Sequence, residues 1–292
     1  MHLLYPFAKR FIAGEDLKTA LHNVLSLNRH GYLSTIDVLG EDTRTREQAL
    51  AARQEYLNLL EKMKDQLFPL DLSIKLTQMG LNLDREFCRN NLETILKAAR
   101  HHTVRLDMEG SDTTQQILYE GIEMHRQYPN LGLVLQAYLH RTADDIGRVI
   151  REGISTRLCK GAYSEPEHIA LQSMDDIREN FLKQARRLLT SGFQPAIATH
   201  DEMLLKEILK FVKAEHISSK TFYFEMLYGV RRDLQKDLLD KGFRVRVYVP
   251  FGKSWLPYTL RRLAERKENL LFVIKSVFRE TFGLGGLREA NP

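Results

Sequence analysis

The sequence predicts an α/β protein folded as a single (β/α)8, TIM-like barrel, and three observations carry that expectation. Eight short apolar runs rich in β-branched and aromatic residues alternate with longer helical patterns. They recur every ~25–40 residues, the length of one strand–helix unit. No Pro/Gly-rich linker splits the series in two, and no GxGxxG or Walker pattern marks an open, doubly wound nucleotide-binding sheet.

Residues 1–30 read as a helical N-terminal extension, with Leu17, Leu21, Val24, Leu25 and Leu27 as its apolar positions. The runs read as strands are Gly31–Val38, Leu72–Thr77, Thr103–Met108, Leu133–Tyr138, Thr156–Lys160, Ala196–Thr199, Thr221–Glu225 and Val245–Val249. Thr43, Asp84, Ser111, Thr142 and Asp201 stand just before helical runs and suit N-caps, where a short side-chain oxygen accepts from an otherwise unpaired backbone N–H. Gly192 and Gly242 follow helical runs and suit C-terminal turns. After the eighth strand, Pro250 and Gly252 break the chain before a last helix, and residues 268–292 form a C-terminal tail.

Composition narrows the function class. With 43% hydrophobic and 28% charged residues in 292, the chain has the make-up of an ordinary globular protein with a large core. Its net charge of +5 is spread along the chain, which argues against nucleic acid as a partner. The two cysteines, Cys88 and Cys159, form no CxxC pair, so neither a disulfide framework nor a metal site is expected. The N-terminus lacks the apolar core of a secretory leader, and no run is long enough to span a bilayer. A cytoplasmic location follows as the expectation.

In such barrels the chemistry stands at the C-terminal ends of the strands. Polar side chains recur there: Asp37, Lys75, Asp107 with Glu109, Gln136, Arg157 with Lys160, Thr199 with His200, Glu225, and Tyr248. Ionisable groups inside a barrel are costly unless paired, so one per strand points to a built site. Plainer readings stay open. Lys75 suits an edge lysine, Asp107 and Glu109 suit a structural network with Arg105 or Lys75, and His200 suits a helix start. On the last helix Tyr258, Arg261, Arg262 and Glu265 share one face. Two adjacent guanidiniums suit a small carboxylate, and a solvated face with an internal Arg–Glu pair is the alternative.

Ten segments then resemble one family in order. They are RFIAGE (10–15), YLSTIDVLGE (32–41), SIKLTQMG (73–80), LDMEG (106–110), LQAYLHRT (135–142), RLCKGAY (157–163), ATHDE (198–202), FEMLYGV (224–230), RVYVPFG (246–252) and YTLRRLAE (258–265). Together they resemble the monofunctional, FAD-dependent proline dehydrogenases. The resemblance implies oxidation of L-proline to Δ1-pyrroline-5-carboxylate by hydride transfer to FAD, with a quinone as the final acceptor.

The resemblance also implies roles. Lys75, Arg261 and Arg262 would hold the proline carboxylate, with Asp107 beside Lys75 and Tyr258. Leu227, Tyr248 and Tyr258 would pack around the ring, and Tyr248 would favour L-proline over trans-4-hydroxyproline. Gln136, Arg157, Lys160, Ala162, Tyr163, Thr199, His200 and Glu225 would line the FAD, and Glu265 would lie near it or anchor an arginine. The last helix would be a lid over the site. Ser164, Asp201 and Glu225 depart from residues common in the family, which touches the cofactor's surroundings rather than the reaction. No aldehyde dehydrogenase domain is expected within the chain, so a separate pyrroline-5-carboxylate dehydrogenase would act downstream. The amphipathic tail LLFVIKSVFRETFGLGG either packs as a last helix, the simpler reading, or gives peripheral contact at the inner face of a membrane. Competing readings are a hydroxyproline dehydrogenase on the same scaffold, another flavin barrel, and a non-catalytic basic barrel holding an anionic partner.

Overall fold

The structure, a computed structural model, describes residues 8–66 and 68–264, the last four as backbone alone. Helix α1 (Leu17–Arg29) precedes β1 (Leu33–Val38), α2 (Arg46–Met63), β2 (Asp71–Ile74), α3 (Arg85–Ala98) and β3 (Thr103–Leu106). There follow α4 (Ser111–His125), β4 (Leu131–Gln136), α5 (Thr142–Arg151), β5 (Thr156–Cys159), α6 (Met174–Ser191) and β6 (Ala196–Ala198). The chain continues through α7 (Glu202–Ala214), β7 (Tyr223–Leu227), α8 (Arg232–Asp240), β8 (Val245–Phe251) and α9 (Trp255–Ala264). The strands form a closed parallel barrel in sequence order, and β8 returns to pair with β1. The predicted (β/α)8 architecture is thus present.

Alternation along the strands separates two environments. Ile36, Leu72, Ile74, Val104, Leu106, Leu133, Leu135, Leu158, Ile197, Phe224, Val245, Val247 and Val249 are buried in the main apolar core with side chains of the surrounding helices. The alternate positions, Thr35 and Asp37, Asp71 and Ser73, Arg105 and Asp107, Arg157, Glu225, Arg246 and Tyr248, hydrogen-bond to one another or to Lys75 inside the barrel. A barrel interior is ordinarily filled by branched apolar side chains. Here it is filled by paired ions.

The helix starts differ from the sequence reading in three places, each because a hydroxyl is engaged elsewhere. Asp84 and Asp201 cap α3 and α7 as expected. Thr45, not Thr43, caps α2, while the Thr43 hydroxyl donates to the Thr77 and Gln78 carbonyls. Ser111 and Thr142 are first helical residues rather than caps, with hydroxyls donating to Glu165 and to the Gln136 carbonyl. Gly192 caps α6, and Gly242 follows α8 in the left-handed region at φ +82°.

The N-terminal segment fixes the barrel mouth. Helix α1 packs against both β8 and β1 and so covers the seam where the barrel closes. Residues 8–14 run along the ends of β7 and β8. Ala13 donates to the Pro250 carbonyl at 2.8 Å, Gly252 donates to that of Gly14 at 3.0 Å, and the Arg10 carbonyl lies against Gly229. Helix α9 packs beyond the end of β1. Trp255 and Tyr258 join Ala8, Phe11, Ile12 and Leu39 in a second apolar cluster. The Trp255 indole donates to Glu15 at 2.6 Å. No described helix is long and apolar enough to cross a membrane.

Candidate active site

Asp107 is the hub of the barrel interior. It accepts from the Ser73 hydroxyl at 2.5 Å, from Arg157 Nη1 at 2.9 Å, from the Tyr248 hydroxyl at 2.8 Å and from Lys75 Nζ at 3.3 Å. These partners come from β2, β5, β8 and the turn just beyond β2. They converge because each points into the barrel interior from its own strand or strand end. Burial alone would raise the Asp107 carboxyl, but Lys75 and Arg157 outweigh it and hold the group below the usual carboxylate range.

Lys75 is bracketed. Its ammonium lies 3.1 Å from Asp37 on β1 as well as 3.3 Å from Asp107. Burial disfavours its charge, yet Asp37 and the other nearby acids more than offset this and hold it well above the ordinary lysine value. Asp37 is fully buried and its Oδ2 has no hydrogen-bond partner. Burial pushes its carboxyl up, and Lys75 offsets this only in part. The edge-lysine reading of Lys75 therefore fails, since the residue points into the barrel and is buried.

Arg157 lies between two acids. Its Nε donates to Glu225 at 2.9 Å, opposite the contact to Asp107, and Glu225 also accepts from Thr35 at 2.9 Å. Both Glu225 and Asp107 keep the guanidinium charged despite its burial. Its Cζ sits 5.1 Å from the centre of the Tyr248 ring, a cation–π contact that fixes the ring's face. Burial and the nearby Asp107 and Asp37 push the Tyr248 hydroxyl well above its usual value, so it donates rather than ionises.

Deeper in the barrel, Asp71 binds Arg105 at 3.0 Å and Arg246 at 2.6 Å. Arg105 thus belongs to Asp71, not to Asp107 or Glu109 as the structural-network reading allowed. Gly132 makes room for it, since an added Cβ would lie 3.0 Å from the Arg105 guanidinium. Nearer the mouth, Glu109 accepts from the backbone N–H and hydroxyl of Thr77, and burial pushes its carboxyl up to about 7. Burial also pushes both thiols up to about 12, so neither Cys88 nor Cys159 offers a nucleophilic thiolate.

Another group lines the ends of β4 to β7. Gln136 donates to the Glu109 carbonyl at 3.0 Å. Lys160 binds Asp201 at 2.5 Å, and Asp201 also takes Arg178 at 2.8 Å and caps α7. Those two cations hold Asp201 down at about 2 against the effect of burial. The Thr199 hydroxyl accepts from the Asp201 N–H, and His200 Nε2 accepts from the Leu227 N–H at 2.9 Å. That acceptor role requires the neutral imidazole at this nitrogen. Ala162 is exposed and Tyr163 half-buried on the loop that follows Lys160. Gly161, at φ +121°, lies flat on the Tyr138 ring, where a Cβ would come within 2.2 Å of a ring carbon. An amide, an ammonium, a hydroxyl and an imidazole on adjacent strand ends offer donors and acceptors suited to a polar heterocycle with an anionic tail.

The structure therefore joins Lys75, Asp107, Arg157, Glu225 and Tyr248 in one hydrogen-bonded cluster. Asp107 accepts hydrogen bonds from Ser73, Lys75, Arg157 and Tyr248, and the Tyr258 ring packs with Trp255 and Leu39. Arg261 and Arg262 lie on α9, but their side chains, Glu265 and the tail 268–292 fall outside the described residues. Thr35 and Ser73 belong to the cluster although sequence reasoning did not single them out, and Asp37, read there only as a polar strand end, pairs with Lys75. The period-two series Thr35/Asp37 and Asp71/Ser73/Lys75 was the signal that marks them as inward-facing.

Comparison with known proteins identifies the family. The family described as proline dehydrogenase matches residues 20–275. Proline dehydrogenase 1 of Bacillus subtilis subsp. natto is 36% identical over 94% of this chain and 91% of its own length. Proline dehydrogenase of Deinococcus radiodurans is 32% identical over 94% of this chain and 91% of its own. In fold, the chain is similar to proline utilization A (PutA) from Bdellovibrio bacteriovorus, with a TM-score of 0.83 and 22% identity. That match covers 91% of this chain and 33% of the longer one. By the match along most of its length, the chain belongs to the proline dehydrogenase family.

Proposed function

We propose that the protein oxidises L-proline to Δ1-pyrroline-5-carboxylate, removing two electrons and two protons, with bound FAD and a quinone as the onward acceptor. The observation that carries this reading is the buried ammonium of Lys75 at the barrel mouth, held between Asp37 and Asp107 in a chain of this family. FAD supplies the two-electron acceptor that no side chain here can provide. Gln136, Lys160, Ala162, Tyr163, Thr199 and His200 would hold it, since they line adjacent strand ends with the mixed donors a flavin nucleotide requires. Arg157 would place a fixed positive charge beside it, with Glu225 behind that guanidinium.

The substrate carboxylate would bind Lys75, Arg261 and Arg262. Charge balance supports a part for the arginines. Inside the barrel Lys75, Arg157, Arg105 and Arg246 balance four acids, Asp37, Asp107, Glu225 and Asp71. A further anion would go uncompensated there unless more cations join it, and α9 carries two. Asp107 fixes Lys75 and Tyr248 together, so that the carboxylate anchor and the Tyr248 ring keep one relative position. Orientation of this kind is the protein's main contribution to rate. Leu227, Tyr248 and Tyr258 would enclose the ring and exclude water, with α9 as the lid and Glu265 near the cofactor or an arginine.

The purified protein should be yellow, and its flavin bands should bleach when L-proline is added without oxygen. A flavin-loaded sample that stays yellow under these conditions would overturn the reading. L-Proline should be oxidised faster than trans-4-hydroxy-L-proline, because the position of Tyr248 is fixed from two sides. Peripheral membrane contact through residues 268–292 would appear as co-sedimentation with anionic liposomes that is lost on truncation of the tail. A separate pyrroline-5-carboxylate dehydrogenase would consume the product.

A further inference from the structure

The loop from β5 to α6, residues 160–173, is tied down at both ends. Lys160 binds Asp201 at 2.5 Å at its start. At its far end Ala170 bridges Leu139, and the Leu171 N–H donates to the Tyr138 carbonyl at 2.8 Å. A tie in its middle runs elsewhere. Glu165 reaches the helix that follows β3, accepting from the Ser111 N–H at 2.8 Å and from the Ser111 hydroxyl at 2.5 Å.

This contact answers a local need. Helix α4 begins after Gly110 and has no side-chain cap of its own. Its first N–H groups and the positive end of its dipole call for an oxygen, preferably an anionic one. The carboxylate comes from a residue 54 positions later. Pro166 follows Glu165, which biases Glu165 to an extended backbone and narrows where its side chain points. The Pro166 carbonyl in turn accepts from the Ile169 and Ala170 N–H groups, closing a turn just beyond it.

We propose that Glu165 is a positioning residue: by capping α4 from the loop after β5, it sets where Lys160, Ala162 and Tyr163 stand at the barrel mouth. It also joins that loop to the segment carrying Asp107 and Glu109, which runs directly into α4. The carboxylate thus adds a direct tie between the substrate side and the cofactor side of the mouth, beside the one from Gln136 to the Glu109 carbonyl. This rests on the reading of residues 160–163 as part of the FAD site.

The test uses the full-length holoenzyme and the variants Glu165→Ala, Glu165→Gln and Lys160→Ala. FAD release is followed by the recovery of flavin fluorescence on dilution, and amide exchange is followed at residues 111–114 and 160–166. Release should be about tenfold faster in Glu165→Ala and intermediate in Glu165→Gln. Exchange should rise together in both segments while kcat at saturating FAD stays within about twofold. If Glu165→Ala does not fold, Glu165→Gln carries the comparison. Faster exchange in both segments with FAD release unchanged in the Glu165 variants, while Lys160→Ala releases FAD faster, would overturn the proposal and leave the FAD site in place. Unchanged release in all three variants would remove the FAD reading of the loop, and the proposal with it.

Discussion

Replacing Lys75 by methionine removes the ammonium lying 3.1 Å from Asp37 and 3.3 Å from Asp107. Methionine keeps a flexible stem of similar length, so the main change is electrostatic. The two carboxylates are affected unequally. Asp107 retains Arg157, Ser73 and Tyr248. Asp37 loses the one cation it is bonded to, and it is fully buried. Its carboxyl is already pushed up by burial. Without Lys75 it rises further, so the folded variant holds a proton that the unfolded chain gives up near pH ~4. A carboxyl whose folded value lies above its unfolded value contributes stability that is complete below the unfolded value and lost as pH rises through the folded one. The slope is about 1.4 kcal/mol per pH unit for one proton. Relative to the parent, whose Asp37 is itself raised, each pH unit between the two folded values costs the variant about 1.4 kcal/mol. At ~2–4 °C per kcal/mol this is roughly 3–6 °C in Tm per unit. The parent shares a similar descent from Glu109, held at about 7, so the quantity to follow is the difference between the two proteins. Tm measured for both between pH 5 and pH 8 should show that difference widening with pH. A constant difference would refute the claim that Lys75 holds the Asp37 carboxyl down against burial. The same substitution should raise KM for L-proline by ~10- to 150-fold, the loss of one charged hydrogen bond worth ~1.5–3 kcal/mol.

Glu225→Gln keeps an acceptor for Thr35 but removes the charge facing Arg157. It should lower unfolding stability by ~1.5–3 kcal/mol in urea, and an unshifted midpoint would contradict the ion pair's role. Gly161→Ala puts a Cβ within 2.2 Å of the Tyr138 ring at φ +121°. It should cost at least ~1–3 kcal/mol in strain and reduce the flavin-to-protein ratio of the purified enzyme, which absorbance measures directly. Asp201, held at about 2 in the fold, contributes stability that is complete above its unfolded value of ~3.9 and lost as pH falls towards 2. Asp201→Asn should therefore be less stable than the parent at pH 5, with the gap closing in acid; a gap independent of pH would contradict this.

The barrel was legible because its signals are local. Eight β-rich runs at regular spacing, the caps Asp84 and Asp201, and the glycine after α8 mark elements through propensity and backbone geometry. The cap misassignments at Thr43, Ser111 and Thr142 have one cause. A hydroxyl has more than one carbonyl or carboxylate it can bind, and the nearest lies on a different strand or loop in each case. The site was legible in part for the same reason. Polar residues in apolar strands stand out, so Lys75, Asp107, Arg157, Glu225 and Tyr248 were recognised. Of their pairings only Lys75 with Asp107 was anticipated; Arg105, two residues before Asp107, turns instead to Asp71 on the neighbouring strand.

Sequence by itself determined the strand–helix rhythm, the family and the set of ionisable residues facing the barrel interior, since alternation along a strand decides which side chains point inward. Only the tertiary structure decided how those ions pair. Lys75 lies between Asp37 and Asp107, Arg157 between Asp107 and Glu225, and Arg105 and Arg246 both bind Asp71. Barrel closure sets these partners, because it brings together residues that lie 32 to 175 positions apart. It also decided that α1 covers the β8–β1 seam and that α9 packs over the end of β1 beside the mouth. No local pattern encodes which of two apolar helices fills a seam; packing of the whole barrel does.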